Sequence, residues 1–594
     1  MDGQGGQDDL VVLALPGVQR FIAEARSTSD VRAASQIYAR LASMAAATCQ
    51  EAGGKLVLPS GLADPDSMPN RVAAVFPPGS GADAARKMQK AVHEKWFGWL
   101  GEILPHGVVE TPGMPLVHWV CMPAGDGGYR DQWQEGQRLL AARRMVRDFQ
   151  AVEWRRRALC SLGPRWPAVD PPKGLKAHEK ATLSAAGWVK RRWRELHDLE
   201  GFPSTSSIAS APFRLAVLES LDDREVYAAV SDLARAAREV IRAIQDGDVR
   251  ETRIVGLPEP KTDLGKWFAS TAGPWVYPAR WQAESLAGET GTDPAAISAV
   301  VVDGRKAASK LHEVMKARRV PEPTAYLAVM VQDIDGLGRF LGGEASSVSG
   351  ARIEPSVASH RRVSELLGDT AREQSRVLEE AEFLGVPVYA GGDDLLAFTP
   401  ARTALMAARR CHEKMPPELP TASTAVLFFH YHTGLQIALT RARRLLDEAK
   451  HRVDGKHALA VGYLRGSGVS EVSIQPWPGP DGRDTADLFR VFATDAEHPL
   501  SPRLLADLER DHAELARLSR QHPAHYRAEL TRLVRRHIAG GQVGGGDAVS
   551  AAARAAAALE WLGAHENAGP PRAPEVSWPD LAARVGVFLR QEAR

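Results

Sequence analysis

The chain has 594 residues, of which 44% are hydrophobic and 25% are charged, and its formal net charge is +1. This composition is typical of a folded globular protein and excludes a globally basic one, so any contact to nucleic acid has to come from local patches. The scattered cysteines, Cys49, Cys121, Cys160 and Cys411, argue against a disulfide scaffold and a complete cysteine zinc site. The apolar run at 10–15 is too short for a signal or membrane segment, so we predict a cytoplasmic protein that contacts no membrane.

The first 150 residues show a mixed α/β pattern. Strand-like apolar runs lie at 10–15, 55–58, 72–76 and 117–122. Helix-like patterns lie between them, at 21–46, 84–100 and 133–149. We therefore predict a first α/β domain over residues 1–150.

Three further regions follow. Residues 151–315 are mostly helical in pattern, and residues 316–470 are again α/β. The last predicted domain, 471–594, begins with a linker at 476–482. Helical patterns follow at 484–492, 503–519, 524–537 and 548–562. An all-helical terminal domain of this kind usually packs against its own chain or binds a partner.

The two α/β regions contain a weak internal repeat. Residues 13–22 align with 332–341, and residues 69–76 align with 391–398. In this alignment Ala14, Pro16, Arg71 and Val72 stand where the second copy has Asp333, Asp335, Asp393 and Asp394. Matches of this length also arise by chance. If the repeat is real, the first copy lacks metal-binding carboxylates and is a structural or nucleotide-docking partner of the second.

The most informative segment is Tyr-Ala-Gly-Gly-Asp-Asp-Leu-Leu-Ala-Phe at 389–398. Its glycines and the following apolar residues predict a β-hairpin with Asp393 and Asp394 at its turn. A second acidic cluster, Asp333 and Asp335, ends the apolar run that begins at Tyr326. Alone, each cluster could be an ordinary polar turn or a helix N-cap. Together they predict a nucleotide site in which two Mg²⁺ or Mn²⁺ ions are held by Asp333, Asp393 and Asp394.

Several backbone positions are predicted to take part in the same site. The Ile334 carbonyl could add an oxygen ligand, and Asp335 lies beside it in the predicted nucleotide-binding segment. Gly391 and Gly392 would let the nucleotide approach the backbone closely. Gly336 and Gly338 would open a turn whose N–H groups face phosphates.

Positive charge for a triphosphate is expected from the helix predicted at 435–450 and the turn after it. Lys450 ends this helix, and Lys456 follows just before the predicted strand at 458–462. Either ammonium group could reach the β- and γ-phosphates. Both could instead be ordinary solvated lysines at a helix end.

Two other groups of residues leave alternatives open. His430 and His432 alternate on a predicted strand, and we favour hydrogen-bonding or nucleotide-contacting roles over a zinc pair. Basic stretches could contact the phosphates of RNA or could be solvated helix faces. They are Arg143, Arg144, Arg147, Arg155, Arg156, Arg157, Lys190, Arg191, Arg192 and Arg194.

The second α/β region resembles the cyclase-type palm of the large subunit of type III CRISPR–Cas effector complexes, most closely the Cmr (III-B) branch. The Gly-Gly-Asp-Asp of that family stands at 391–394. Less specific similarities follow in the family's order, at 18–28, 68–71, 202–209, 360–365 and from 429–432 to 456–459. The expected fold is a multidomain α/β (α+β) chain with two ferredoxin-like palm domains, a mainly helical middle domain and a helical C-terminal domain.

The resemblance implies a function as well as a fold. Members of the family assemble with other effector subunits around a CRISPR guide RNA, and a complementary target RNA activates the second palm. That palm converts ATP into cyclic oligoadenylates, which act as second messengers. The metal-binding aspartates of the family fall on Asp333, Asp393 and Asp394.

Two departures from the family shape further expectations. Many members begin with an HD nuclease domain, whereas here the first palm starts near residue 10 and His197-Asp198 looks like a surface dipeptide, so DNase activity is not expected. The family's zinc loop often has two Cys-x-x-Cys pairs. Here the matching stretches are Cys160–Gly163 and Ser184–Gly187, so no zinc is expected, and packing of Trp166 and Trp188 could hold the loop instead.

Two other functions remain possible from the sequence. One is a stand-alone nucleotide cyclase, which the degenerate first palm and the long helical tail disfavour. The other is a non-catalytic scaffold that binds RNA and protein, which the clustered aspartates disfavour.

Overall fold

The chain is described by a computed structural model. The structure describes residues 8–62, 64–104, 111, 113–125, 127–146, 158–173, 175, 181–243, 252–290, 292–466, 470–479, 482–493, 499–538, 545–563 and 578–593. Within these ranges no helix is both long enough and apolar enough to cross a membrane. The predicted basic residues Arg147, Arg155, Arg156 and Arg157 lie outside them.

The first α/β unit is an antiparallel four-stranded sheet with helices packed on it. Its strands are β1 (Asp9–Ala14), β2 (Lys55–Leu58), β3 (Arg71–Phe76) and β4 (His118–Met122), in the spatial order β2-β3-β1-β4. Its helices are α1 (Val18–Ala23), α2 (Thr28–Glu51), α3 (Gly81–Ile103) and α4 (Gly128–Arg144). The order strand–helix–strand–strand–helix–strand is that of a ferredoxin-like fold, as predicted.

The single helix predicted at 21–46 is wrong, because the structure divides this region into α1 and α2. A capping box at the start of α2 explains the division. The Ser27 hydroxyl accepts the Asp30 backbone N–H at 3.1 Å, and the Asp30 carboxylate accepts the Ser27 N–H at 3.2 Å. These two bonds satisfy N–H groups that a helix start leaves unpaired, so the chain begins a new helix there.

The second α/β unit repeats this plan and extends it by two strands. Its strands are β5 (Tyr326–Ile334), β6 (Val386–Gly391), β7 (Asp394–Pro400), β8 (Ala422–His430), β9 (Ala458–Leu464) and β10 (Ser470–Pro476). Their order is β10-β9-β8-β5-β7-β6, and only the β8–β9 pair is parallel among the pairings described. Its helices are α12 (Leu337–Leu341), α13 (Val357–Glu379), α14 (Ala404–Glu413) and α15 (Leu435–Arg452). Helix α15 is the helix predicted at 435–450.

The repeat found in the sequence is a structural repeat. The order β6-β7-β5-β8 in the second sheet matches β2-β3-β1-β4 in the first. Gly17 and Gly336 both precede the first short helix of their unit with positive φ, at 90° and 68°. One detail of the sequence alignment is wrong. Ala14 pairs with Arg71 as Asp333 pairs with Asp394, so Arg71 corresponds to Asp394, one residue later than the sequence alignment placed it.

The remaining regions are helical in the parts described. Between the sheets lie α5 (Ala185–Arg191), α6 (Trp193–Leu196), α7 (Thr205–Glu219), α8 (Arg224–Ala243), α9 (Asp263–Ser270), α10 (Ala283–Thr290) and α11 (Pro294–Ala317). After β10 come α16 (Thr485–Leu488), α17 (Leu504–Arg510), α18 (His512–Gln521), α19 (Pro523–Arg536), α20 (Gly545–Gly563) and α21 (Pro579–Glu592). Helix α21 was missed in the sequence. The four domain boundaries stay predictions.

The two sheets share one apolar core, which fixes the second sheet against the first unit. The side chains of Leu327, Val329 and Val331 on β5 lie in the same buried cluster as residues of α2, α3 and α15. Their neighbours Ala328 and Met330 point to the other face, into a cluster formed with α14 and the C-terminal helices. Since side chains alternate along a strand, Asp333 lies on the face shared with the first unit.

Candidate functional site at the hairpin of the second sheet

The predicted Gly-Gly-Asp-Asp hairpin is confirmed as a structure. Gly391 at the end of β6 pairs with Asp394 at the start of β7, so Gly392 and Asp393 form the turn between them. Gly392 has a φ of 64°, a conformation that side chains with a Cβ disfavour. The turn therefore brings both carboxylates to the end of the sheet.

Asp333 lies directly opposite Asp394 on the neighbouring strand. The two residues are register partners of the antiparallel β5–β7 pair, and the Asp393 carbonyl accepts the Ile334 N–H at 3.0 Å. The Asp333 carboxylate forms an ion pair with the Lys450 ammonium at the end of α15. The three predicted metal-binding residues thus share one end of the sheet, with Asp333 engaged by a lysine.

The two hairpin carboxylates disfavour each other's ionised form. Burial, followed by the charge of Asp394, raises the pKa of Asp393 to about 6, and Arg71 partly opposes this rise. Burial also raises the pKa of Asp394, against a hydrogen bond from Gln19 and the charge of Arg443. Asp393 itself is open to water at the turn although protein surrounds it on most sides. Such a pair is neutralised best by a bound cation or proton.

The first unit contributes directly to this site. The Gln19 amide, on α1, donates to the Asp394 carboxylate at 3.3 Å, and Arg443 of α15 donates to the Gln19 carbonyl. A Cβ on Gly391 would lie 3.0 Å from the Ser67 carbonyl oxygen. The sequence explained Gly391 and Gly392 by a close nucleotide. In this structure the first unit's 67–69 segment is what approaches them, since a Cβ on Gly392 would lie 3.6 Å from Pro69.

Asp335 is placed differently from the three other aspartates. Its side chain is 7% exposed and accepts hydrogen bonds from the Thr421 hydroxyl at 3.0 Å and the Ser423 hydroxyl at 2.9 Å. A third donor is the backbone N–H of His457 at 2.9 Å. Burial raises the pKa of Asp335, which these bonds and the Lys456 charge oppose. Because three donors occupy this carboxylate, it is satisfied within the protein.

A cleft of about 560 Å³ lies beside the acidic end of the sheet. Lys450 and Lys456, the two predicted phosphate-binding lysines, both line it, together with Arg339 and the edge of Asp335. Ser346, Ser347 and the acid Asp454 line it as well. Three cationic side chains against two carboxylates, with serine hydroxyls beside them, suit an anionic ligand such as a polyphosphate.

The predicted glycine turn after β5 is also present. Gly336 precedes α12 with positive φ, and its carbonyl accepts the N–H groups of Arg339 and Phe340 at 3.0 Å. Gly338 lies within α12, and a Cβ there would meet no atom within 4 Å. The Ile334 side chain is buried, so only its backbone is placed to act at the site.

The aspartates are chemically suited to hard cations, but their side chains do not form a closed ligand set. Within the described part of the chain, no group of three or more His, Cys, Asp or Glu side chains is assembled closely enough to hold a metal ion. Carboxylate oxygens are the ligands that Mg²⁺ and Mn²⁺ favour, and a cation between Asp393 and Asp394 would relieve their repulsion. Asp333 would be the third ligand, because it is the register partner of Asp394.

The histidine and basic patterns have mainly structural partners where they are described. His432 lies beyond the end of β8, and its backbone N–H donates to His430 Nδ1 at 3.1 Å, so the two do not alternate on one strand. Lys190 is buried against the carbonyls of Phe21 and Glu24, and Arg191 pairs with Asp30 at 3.0 Å. This part of the basic stretch therefore holds domains together.

The two stretches matched to the zinc loop do meet. A Cβ on Gly187 would lie 3.4 Å from the Ser184 hydroxyl and 3.6 Å from the Cys160 sulfur. Glu24 fills the space beside Gly163 and pairs with Arg165 at 3.0 Å. Trp166 and Trp188 are buried nearby, as expected. An ion pair and packing thus hold this loop; zinc itself stays a matter of prediction.

The surface assignment of the His197-Asp198 dipeptide holds for Asp198, which is exposed, but not for His197, which is half-buried. Its ring lies 5.8 Å from that of Trp99 and 4.1 Å from that of Trp193, and burial lowers its pKa to about 4. The His197 ring therefore belongs to the packing between the first unit and the middle region.

Comparisons with known proteins agree with this architecture. Residues 326–460 match the family model described as Cas10/Cmr2, second palm domain. The chain is 28% identical over 198 residues to CRISPR system Cmr subunit Cmr2 of Pyrococcus furiosus, a match that covers 30% of this chain and 22% of that protein. The matched part is therefore less than a quarter of that relative's length.

Solved structures show the same fold over nearly the whole chain. A chain of type III-B Cmr-beta in the apo state aligns over 99% of this chain and 82% of its own length, with a TM-score of 0.62 and 14% identity. Type III-B Cmr-beta bound to cognate target RNA gives a TM-score of 0.65 with 13% identity, over 98% and 83%. The second α/β unit matches the Cas10/Cmr2 second palm, and the fold of the chain is similar to that of type III-B Cmr-beta, in agreement with the resemblance found in the sequence.

Proposed function

We propose that this chain is the large subunit of an RNA-guided type III CRISPR antiviral effector complex in the cytoplasm. We further propose that its second palm is a metal-dependent nucleotidyltransferase that makes cyclic oligoadenylates from ATP once target RNA is bound. The observation that carries the enzymatic part is the register pairing of Asp333 with Asp394, with Asp393 at the adjoining turn. A purely structural palm has no need for three carboxylates at one end of a sheet.

In this proposal Asp333, Asp393 and Asp394 hold two Mg²⁺ or Mn²⁺ ions, and ATP is the substrate. When bound, such ions lower the pKa of an attacking ribose hydroxyl and neutralise the charge of the pyrophosphate leaving group. The first unit's Gln19 orients Asp394 through its hydrogen bond. The side chains of Lys450, Lys456 and Arg339 bind the triphosphate in the adjoining cleft.

Lys450 has two roles in this proposal. In the nucleotide-free protein it neutralises Asp333, whose charge would otherwise add to those of the hairpin. Lys450 would be released from Asp333 if a cation bound there, and its ammonium group would then be available to phosphates in the cleft that it lines. The loading of cation and the binding of nucleotide are therefore coupled through one side chain.

The partners follow from the family rather than from the site. We propose that other type III effector subunits, a CRISPR guide RNA and a complementary target RNA bind this chain. One related structure, type III-B Cmr-beta, is of a complex bound to cognate target RNA, which supports this part of the proposal.

The test is mass spectrometry of the products formed from ATP and Mg²⁺ by the chain purified with its native partners and guide. Reactions are run with and without complementary RNA. The expected result is cyclic adenylates that depend on target RNA and disappear in the Asp393→Asn/Asp394→Asn variant. Asp369→Asn, on the exposed face of α13, is the matched control and should leave the products unchanged. If the intact, target-bound complex forms no product, the enzymatic proposal is wrong, and a scaffold role takes its place.

A further inference from the structure

The turn between α15 and β9 has an unusual backbone. Gly455, Lys456 and His457 follow one another with φ values of 76°, 64° and 51°. Glycine adopts this region freely, but in lysine and histidine the contact between Cβ and the backbone disfavours it. Two such residues in succession persist only where surrounding contacts determine the conformation.

The Asp335 carboxylate makes one of the contacts that hold this turn. It accepts the His457 N–H at 2.9 Å, and the same carboxylate is fixed by Thr421 and Ser423 on the adjoining segment and strand. The Ser423 hydroxyl also accepts the Ala458 N–H at 3.2 Å. One buried acid therefore ties the end of β5, the start of β8 and the left-handed turn together.

Trp477 and His412 hold the turn through His457. The His457 carbonyl accepts the Trp477 N–H at 2.8 Å, and His457 Nε2 lies 3.1 Å from His412 Nε2. The His412 ring stacks on Trp477 with their centroids 4.3 Å apart. His457 is thus fixed on both sides, while its neighbour Lys456 lines the cleft.

We propose that Asp335 is a positioning residue for the triphosphate: it holds the 455–457 turn so that Lys456 faces the cleft. This inference rests on the proposed function, since it assumes that the cleft binds polyphosphate. It narrows the role predicted for Asp335 from the sequence. A carboxylate already bonded to three donors is a poor metal ligand, and its charge repels phosphate, so Asp335 acts through Lys456 rather than on the nucleotide.

A double-mutant cycle tests this, with tripolyphosphate plus Mg²⁺ as the probe and isothermal titration calorimetry of the full chain as the assay. We expect Lys456→Ala to weaken binding roughly tenfold, the effect of losing one charge-assisted contact. Asp335→Ala should weaken binding by a similar factor. The double variant should be no weaker than either single variant, because both changes remove the same contact. Lys450→Ala, in contrast, should add its effect to that of Asp335→Ala.

Asp369→Ala, an exposed carboxylate on α13 paired with Arg372, is the control and should bind as the wild type does. If Asp335→Ala does not fold, Asp335→Asn is used, since it keeps the side chain's shape but carries one acceptor oxygen fewer. Additive losses from Asp335 and Lys456, or unchanged binding in the Asp335 variant, would overturn the proposal.

The outcomes separate this inference from the proposed function. A wild-type chain that binds tripolyphosphate, and whose complex makes no cyclic adenylate, refutes the enzymatic proposal and leaves the positioning role intact. A wild-type chain that does not bind tripolyphosphate refutes the positioning role.

Discussion

Replacing Asp393 by asparagine removes one of two like charges at the hairpin turn and keeps the shape of the side chain. In the metal-free protein this change should stabilise the fold. Asp393 and Asp394 disfavour each other's ionisation, and burial adds to that cost. An amide at the turn carries no charge, so it avoids both costs and still offers one oxygen as an acceptor.

The size of the effect follows from the pKa. A rise in the pKa of Asp393 from 3.8 to about 6 corresponds to about 3 kcal/mol without screening, since each pKa unit is worth 1.36 kcal/mol. Asp393 is open to water at the turn, which screens its charge, so we expect a gain of about 1 kcal/mol in the variant. In a domain of 150–250 residues this raises the melting temperature by about 2–4 °C.

The pH dependence has a definite sign. Because the folded-state pKa of Asp393 is above its unfolded value, folding disfavours the ionised form. The cost is absent below pH 4, grows as the pH rises towards 6 and is complete above it. The advantage of Asp393→Asn should therefore be close to zero at pH 4 and largest above pH 7.

Melting temperatures of the two proteins between pH 4 and pH 8, with EDTA and with Mg²⁺, test this reasoning. Mg²⁺ should stabilise the wild type more than the variant, because the cation neutralises the carboxylate pair. Asp83→Asn, an exposed carboxylate paired with Arg86 on α3, is the control and should change little. A lower melting temperature for Asp393→Asn at pH 7.5 in EDTA, or the same gain at pH 4 and pH 7.5, would refute the electrostatic account.

Two further changes are predicted from packing. Gly391→Ala places a Cβ 3.0 Å from the Ser67 carbonyl oxygen and should cost about 1–3 kcal/mol in chemical denaturation. Gly338→Ala, within α12, meets no atom within 4 Å and should be neutral or stabilise the fold by up to about 1 kcal/mol, because alanine favours a helix over glycine. An equal loss of stability in both variants would contradict the close approach at Gly391. Lys190→Met leaves two carbonyls at the end of α1 without their ammonium donor and should cost about 1–3 kcal/mol. Lys90→Met, on the exposed face of α3, is the control and should be nearly neutral. Equal effects of the two changes would contradict the buried contact.

Much of the fold could be predicted because its signals are local. The strands at 55–58 and 72–76 are runs of apolar residues bounded by glycine, proline and polar residues, and they form β2 and most of β3. The break between α1 and α2 within 21–46 is also local, since the capping sequence Ser27-Thr-Ser-Asp30 specifies a new helix start. Helix α21 follows a proline- and glycine-rich stretch, and its apolar face was not recognised.

The site was predicted in part, for a physical reason. The hairpin and the Asp333 strand are each specified by neighbouring residues, so their sequence pattern shows them. The contacts of Gln19 and Arg443 depend on how two units pack, which no local pattern records. For Asp335, composition and spacing show an acid at a strand end, but only the fold shows that three donors already surround it.

The duplication explains why the degenerate unit is needed at the site. Ala14 and Arg71 occupy in the first sheet the positions that Asp333 and Asp394 occupy in the second, so the first unit has the same geometry without the acids. Its Arg71 lowers the pKa of Asp393, and its Gln19 donates to Asp394. A second carboxylate pair facing this hairpin would add repulsion, whereas an arginine and an amide reduce it. The first unit therefore stabilises the carboxylate charges of the second palm, in addition to sharing its apolar core.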